Sequence, residues 1–162
     1  MRRLRTFMAW PADRKRLMLE ALFFLAWARI LKALPFKRLA PRLGRPMTET
    51  PHVHDLPAER TVRRISEAVR VMSRHTFWES QCLVQALAAK KMLERRSMDS
   101  TLYLGTAKDK QGNLIAHAWL RSGPVYLTGA GERRLFTAVA VFGTAYSTEK
   151  REGVKHEPNV RA

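Results

Sequence analysis

The chain has 162 residues, enough for one ordinary domain with a buried core but not for two independent ones. Its composition, 46% hydrophobic and 27% charged with 8 Gly and 8 Pro, excludes collagen-like and low-complexity chains, and a single cysteine excludes an internal disulfide scaffold. Lysine and arginine outnumber the acids 30 to 14, and the resulting charge of +16 bears on partners rather than fold, leaving nucleic acid, anionic membrane and acidic protein open.

The basic start, Met1-Arg-Arg-Leu-Arg, followed by an apolar run from Leu17 to Leu34, has the outline of a signal peptide. Glu20 and Arg29 interrupt the run, and Arg14, Lys15, Arg16 and Lys32 flank or join it, so it does not qualify as a bilayer span. The pattern predicts a helix from an N-cap at Asp13 to about Leu34, ended by Pro35. Its charges form two opposed clusters, with Leu17, Leu22, Phe23, Phe24, Leu25 and Trp27 in wide apolar sectors between them. Such a helix belongs to the domain core, with a partner protein or a membrane surface as the alternative.

Residues 45–57 hold three prolines and no period, and read as a connecting loop. His52, His54 and Asp55 lie there, but no second cysteine exists to complete a zinc set, so neither a metal nor a cofactor is expected. An amphipathic helix follows, about Ala58 to Arg74, with Val62, Ile65, Val69 and Met72 on one face and Arg60, Arg63, Arg64 and Arg70 on the other. That arginine row reads as a solvated face that an acidic partner can also use. A third helix, about Ser80 to Arg96, is apolar nearly all round and reads as the central buried helix.

From Thr101 the period becomes two, which predicts strands through Leu102 and Leu104, then Leu114 to Leu120, then Val125 to Thr128. Ile115, His117 and Trp119 mark one face of the middle strand, the face expected to meet the Cys82 helix. Past Tyr146 the chain has almost no apolar content, which predicts a disordered tail. Helices first and an antiparallel meander afterwards define an α+β class. The expected organisation is an N-terminal helix and loop over residues 1–57, a core over 58–145 and a tail over 146–162.

A lone cysteine is usually a small buried apolar residue. Cys82, however, falls in the first turn of a helix, where unpaired amides and the positive end of the dipole favour a thiolate and can hold an oxyanion. His117 on the later strand is the candidate base, taking the thiol proton and returning it to a leaving amine. Trp78 and Gln81 are candidate oxyanion donors through the indole N–H and the carboxamide, and core packing is the plainer role for the tryptophan.

The segment Trp78-Glu-Ser-Gln-Cys-Leu-Val-Gln-Ala-Leu-Ala-Ala, with Leu102-Tyr-Leu-Gly, Ala116-His-Ala-Trp-Leu, Thr128-Gly and the early Leu34-Pro-Phe-Lys-Arg-Leu-Ala, resembles the leader peptidases of lasso-peptide biosynthesis. The resemblance covers roughly residues 14–142 and implies a papain/transglutaminase-like core: N-terminal helices, a central helix bearing the nucleophile and a small antiparallel sheet. It implies a cytoplasmic thiol protease, with Cys82 and His117 as the catalytic pair, that removes the leader from a ribosomally made precursor peptide before a separate cyclase closes the macrolactam. In the split form of that family a small separate protein presents the leader. This chain leaves no room for such a module ahead of residue 58, so a leader-binding partner is expected, with the cyclase as a further candidate.

Many members of the wider superfamily carry an aspartate about a dozen residues after the histidine, whereas the corresponding stretch here reads Tyr126-Leu-Thr-Gly-Ala. Thr128 is then the candidate to orient the imidazole, or the site works as a dyad. Two other readings stay open. One is a transglutaminase or amidase on the same core. The other is a non-catalytic basic protein bound to nucleic acid or a membrane surface; no zinc-finger spacing, RNA-recognition box or basic zipper supports nucleic acid.

Overall fold

The computed structural model describes residues 11–146; the expected disordered tail lies outside them. Helix α1 spans Ala12–Lys32. A short turn of helix, α2, covers Phe36–Leu39 and runs into a 3-10 turn at Ala40–Arg42. Strand β1 is Arg45–Pro46, α3 is Leu56–Ser73 and α4 is Cys82–Glu94. Strands β2 (Ser100–Lys108), β3 (Leu114–Ser122), β4 (Val125–Thr128) and β5 (Thr137–Thr144) complete an α+β fold.

Helix boundaries shift from the expected ones for local reasons. Pro11, not Asp13, occupies the N-cap of α1; its extended ψ of 149° turns the chain into the helix without a side-chain cap. Asp13 lies in the first turn and binds Arg64 of α3, whose hydrogen bond holds the Asp13 carboxyl below the usual carboxylate range. α3 starts earlier than Ala58 because Asp55 caps it, accepting from the Ala58 amide at 2.8 Å, and Pro57 fits the first turn, where no amide donor is required.

All neighbouring strands in the sheet are antiparallel, in the order β1-β5-β2-β3-β4. The meander β2-β3-β4 follows the expected alternation. β5 was not expected; it pairs with the free side of β2, and β1, inside the stretch expected to be only a loop, pairs with β5 through Arg45↔Gly143 and Pro46↔Phe142. β5 escapes a period reading because its small residues, Thr137 to Ala140, carry little amphipathic contrast and its ladder with β2 shifts register between Leu104 and Gly105.

The two faces of the sheet are built differently. Leu102 of β2, Ala118 and Leu120 of β3, Leu127 of β4 and Phe142 of β5 join one apolar core with the inner faces of α1, α3 and α4. α1 contributes Met18, Ala21, Leu25, Ala28 and Leu31 to that core, which fulfils the core-helix expectation for its inner side. The other face carries an aromatic row: Tyr103 stacks on Trp119 at 5.5 Å between ring centroids, and Trp119 neighbours His117 at 6.0 Å. Gly105 pairs with His117 in the ladder and leaves room for the indole, since a Cβ there would lie 2.7 Å from Trp119 Cη2 and Cζ3.

Arg121 ends this row fully buried. Its guanidinium donates to the carbonyls of Thr50 and Gly123 at 2.9 Å each, to the Tyr103 hydroxyl at 3.1 Å and to Glu49 Oε2 at 3.3 Å. Residues 49–51 are thereby tied down over the sheet, and burial pushes the Tyr103 hydroxyl up, so that it stays protonated as a neutral acceptor. Arg121→Ala strands several buried acceptors at once and is expected to lower stability by about 3 kcal/mol, measured by urea denaturation with an unchanged m-value.

Candidate active site

Cys82 is the first residue of α4. A short network sets that start: Thr76 Oγ1 donates to the Trp78 carbonyl at 3.1 Å and shares a 2.8 Å bond with Ser80 Oγ, and Gln85 Nε2 donates back to the Ser80 carbonyl at 2.7 Å. Lys32, the last residue of α1, reaches the same segment through Glu79 at 3.8 Å and Gln81 Oε1 at 3.5 Å. Gln81 occupies the N-cap without a side-chain cap bond, so the first-turn amides of this 13-residue helix keep their positive end for a ligand or for the half-buried thiol.

His117 is held on several sides. Its Nε2 lies 3.1 Å from the Gly129 carbonyl oxygen, its ring stacks on Phe136 with centroids 4.9 Å apart, and its Nδ1 stands 3.9 Å from Glu132 Oε2. A carbonyl only accepts, so the bond to Gly129 requires the hydrogen on Nε2 and leaves Nδ1 with the lone pair in the neutral ring. Glu132 is placed to support the imidazolium once Nδ1 has taken a proton. Gly129 has φ +67°, and a Cβ there would stand 2.5 Å from the Ala118 carbonyl and 2.9 Å from His117 Nε2. Glycine alone gives the chain this turn and this closeness to the ring.

Thr128, the expected orienting residue, does not serve the imidazole. Its hydroxyl is buried and has no hydrogen-bond partner, because the ladder pairs Thr128 with Leu120 and the chain turns one residue later to aim the Gly129 carbonyl at the ring. Gly129, Glu132 and Phe136 were missed. The Thr-Gly break after β4 was the one signal for the first, whereas Glu132 and Phe136 arrive through a 3-10 turn, Arg133–Leu135, that has no period to read.

The faces of β3 also differ from expectation. Ala118 and Leu120, not Ile115, His117 and Trp119, meet the core shared with α4, because they are the residues small and apolar enough to pack under the helix. His117 therefore springs from the opposite face of β3. α4 spans about 20 Å at about 1.5 Å per residue, and β2 returns over a similar distance from Ser100 to Gly105, the ladder partner of His117. Among the described residues no hydrogen bond joins Cys82 Sγ to the imidazole, whose neighbours are Gly129, Glu132, Trp119 and Phe136.

Of the two candidate oxyanion donors, Trp78 is half-buried against the core with its Nε1 hydrogen buried and unpartnered, whereas exposed Gln81 directs its Oε1 to Lys32. The loop histidines take separate structural roles: His54 Nε2 shares a 2.8 Å bond with Ser122 Oγ, and His52 stands 3.7 Å from Glu49. Among the described residues, no group of three or more His, Cys, Asp or Glu side chains converges as a metal site.

The described residues thus give an α+β fold with a thiol at an uncapped helix start and an imidazole held on the neighbouring sheet. A family model, described as the transglutaminase-like superfamily, matches residues 22–141, from the middle of α1 to β5, and the chain belongs to that superfamily. Membership implies cysteine protease or amidase chemistry as the class to which the site is suited. No curated protein and no solved structure matches the chain.

The Gly129 carbonyl predicts a spectroscopic signature. Long-range 1H–15N spectra should show neutral His117 as the Nε2–H tautomer, and Gly129→Ala, which forces the turn to shift away from the Ala118 carbonyl and the ring, should mix the tautomers, with circular dichroism checking that the remainder of the fold is retained. An unchanged tautomer in the variant would remove Gly129 from the site.

Proposed function

We propose that the protein is a cysteine peptidase that removes the leader from a lasso precursor peptide. The observation that carries the thiol chemistry is the placement of Cys82 at the uncapped start of α4 in a chain of the transglutaminase-like superfamily. The leader-peptidase reading rests on the motif resemblance around Cys82 and His117.

In the proposed reaction, Nδ1 of His117 takes the Cys82 proton and the thiolate attacks the scissile carbonyl carbon, giving a tetrahedral oxyanion. The α4 amides are the groups available to that oxygen, and the buried, unpartnered Trp78 indole N–H joins them only when the segment ahead of α4 opens. Collapse expels the amine of the core peptide, which receives the proton from imidazolium, and water then cleaves the thioester to release the leader as a carboxylic acid. The Gly129 carbonyl keeps Nε2 protonated throughout and so occupies the orienting role of a third catalytic residue, which fixes tautomer more than it supplies charge. The freed amine of the core is the nucleophile that a separate cyclase consumes. A leader-binding protein is the proposed partner that presents the peptide.

The test is mass spectrometry of a precursor peptide incubated with the protein and its leader-binding partner. Wild type should release the leader, whereas Cys82→Ala and His117→Gln should each lower the rate by at least about a hundredfold while keeping wild-type circular dichroism. Leader release by Cys82→Ala would overturn the assignment. Transfer of the acyl group to an added amine in place of water would identify an amidotransferase on the same core.

A further inference from the structure

The inner side of α1 is buried, and its outer side is not polar. Leu19, Phe23 and Ile30 are 57%, 64% and 72% exposed. With Ala26 they follow spacings of four, three and four residues, which places them on one line along the helix. That ridge runs about 16 Å at about 1.5 Å per residue. Beyond the helix, Phe36 is also 55% exposed and is followed by exposed Lys37 and Arg38. A row of this kind, unlike scattered surface leucines, marks a contact site.

Cations rim the ridge. Arg16 is exposed one turn ahead of Leu19 and Arg29 flanks its far end. From α4, Lys91 approaches the Trp27 ring at 6.0 Å and Arg95 the Phe24 ring at 5.7 Å. The nearby acids are each paired with cations: Glu20 with Arg96 at 2.7 Å and Arg95 at 3.7 Å, Glu94 with Lys90 and Lys91, and Asp13 with Arg64. Lys91 and Arg95 therefore share their charge with an acid, while Arg16, Arg29, Lys37 and Arg38 make up the rest of the rim.

We infer that this ridge seats the protein on an anionic lipid bilayer, with α1 lying parallel to the surface. A convex apolar line with cations at both ends and along a flank matches a plane of phosphates above acyl chains, which yields to a ridge and meets the rim with anions on every side. No helix of the described residues is long and apolar enough to cross a membrane, so the contact is one of lying on the surface. The ridge is formed by exposed side chains remote in sequence from Cys82 and His117, so the inference stands apart from the peptidase reading.

Co-sedimentation with sucrose-loaded vesicles tests it. Wild type should bind vesicles of phosphatidylcholine mixed with phosphatidylglycerol, bind pure phosphatidylcholine at least about tenfold more weakly, and detach as salt is raised. Phe23→Glu and Ile30→Glu should each weaken binding to the anionic vesicles by about tenfold or more, while Val53→Glu, at another exposed apolar residue, should leave it unchanged. All three positions are exposed, and equal thermal unfolding of the variants excludes loss of fold as the cause. Binding that ignores lipid charge, variants that bind like wild type, or wild type that ignores vesicles would each overturn the inference. Self-association, or capture of an acidic protein, that Phe23→Glu abolishes in a protein indifferent to vesicles would assign the ridge to protein contact instead.

Discussion

The pairing of β2 with β3 constrains everything else in this molecule. Because side chains alternate strictly along a strand, the register that sets Leu102 opposite Leu120 and Gly105 opposite His117 decides at once which residues lie under the helices and which form the aromatic row. A slip by one residue would bury Trp119 and Arg121 under α4 and expel Leu120. α4 accepts only the first arrangement, since its buried Val84, Leu87 and Ala88 already belong to the core that Ala118 and Leu120 complete. The same register carries the imidazole of His117 to Gly129, so the placement of that ring and the packing of the core are two readings of one ladder.

Much of the fold was legible because it rests on period. α3 alternates apolar and charged faces, and β2, β3 and β4 show the two-residue repeat of half-buried strands, so their existence followed from the residues. β5 was hidden because its affinity for the sheet comes from the unsatisfied edge of β2 rather than from its own pattern, and the first half of the strand remains exposed. β1, at two residues, carries no pattern at all. The helix starts moved by one or two residues because caps are set by single side chains, Asp55 for α3 and the Thr76–Ser80 network ahead of α4.

The site was legible in its residue types and less so in its orientation. Cys82 at a helix start and His117 on a strand follow from pattern alone. Which face of β3 meets α4 does not, because Ile115 and Trp119 are as apolar as Ala118 and Leu120 until size and the charged Arg121 at the end of the row are considered. Arg121 provides that missing clue: a fully buried guanidinium needs acceptors, and the carbonyls of Thr50 and Gly123 supply them on the Tyr103 side of the sheet. A backbone carbonyl beside the imidazole, as at Gly129, leaves no side-chain signature, and a search for a carboxylate in the sequence passes over it.

Gly105 and Trp119 show a different kind of dependence. The indole fills the space where a side chain on the neighbouring strand would begin, so the two positions share one volume. Neither can drift independently: an enlarged residue at 105 needs a smaller one at 119, and a smaller residue at 119 leaves a hollow that a glycine cannot fill. Among relatives of this chain the two positions should therefore change as a correlated pair, and their joint identity would report how deep the floor beside His117 lies in each.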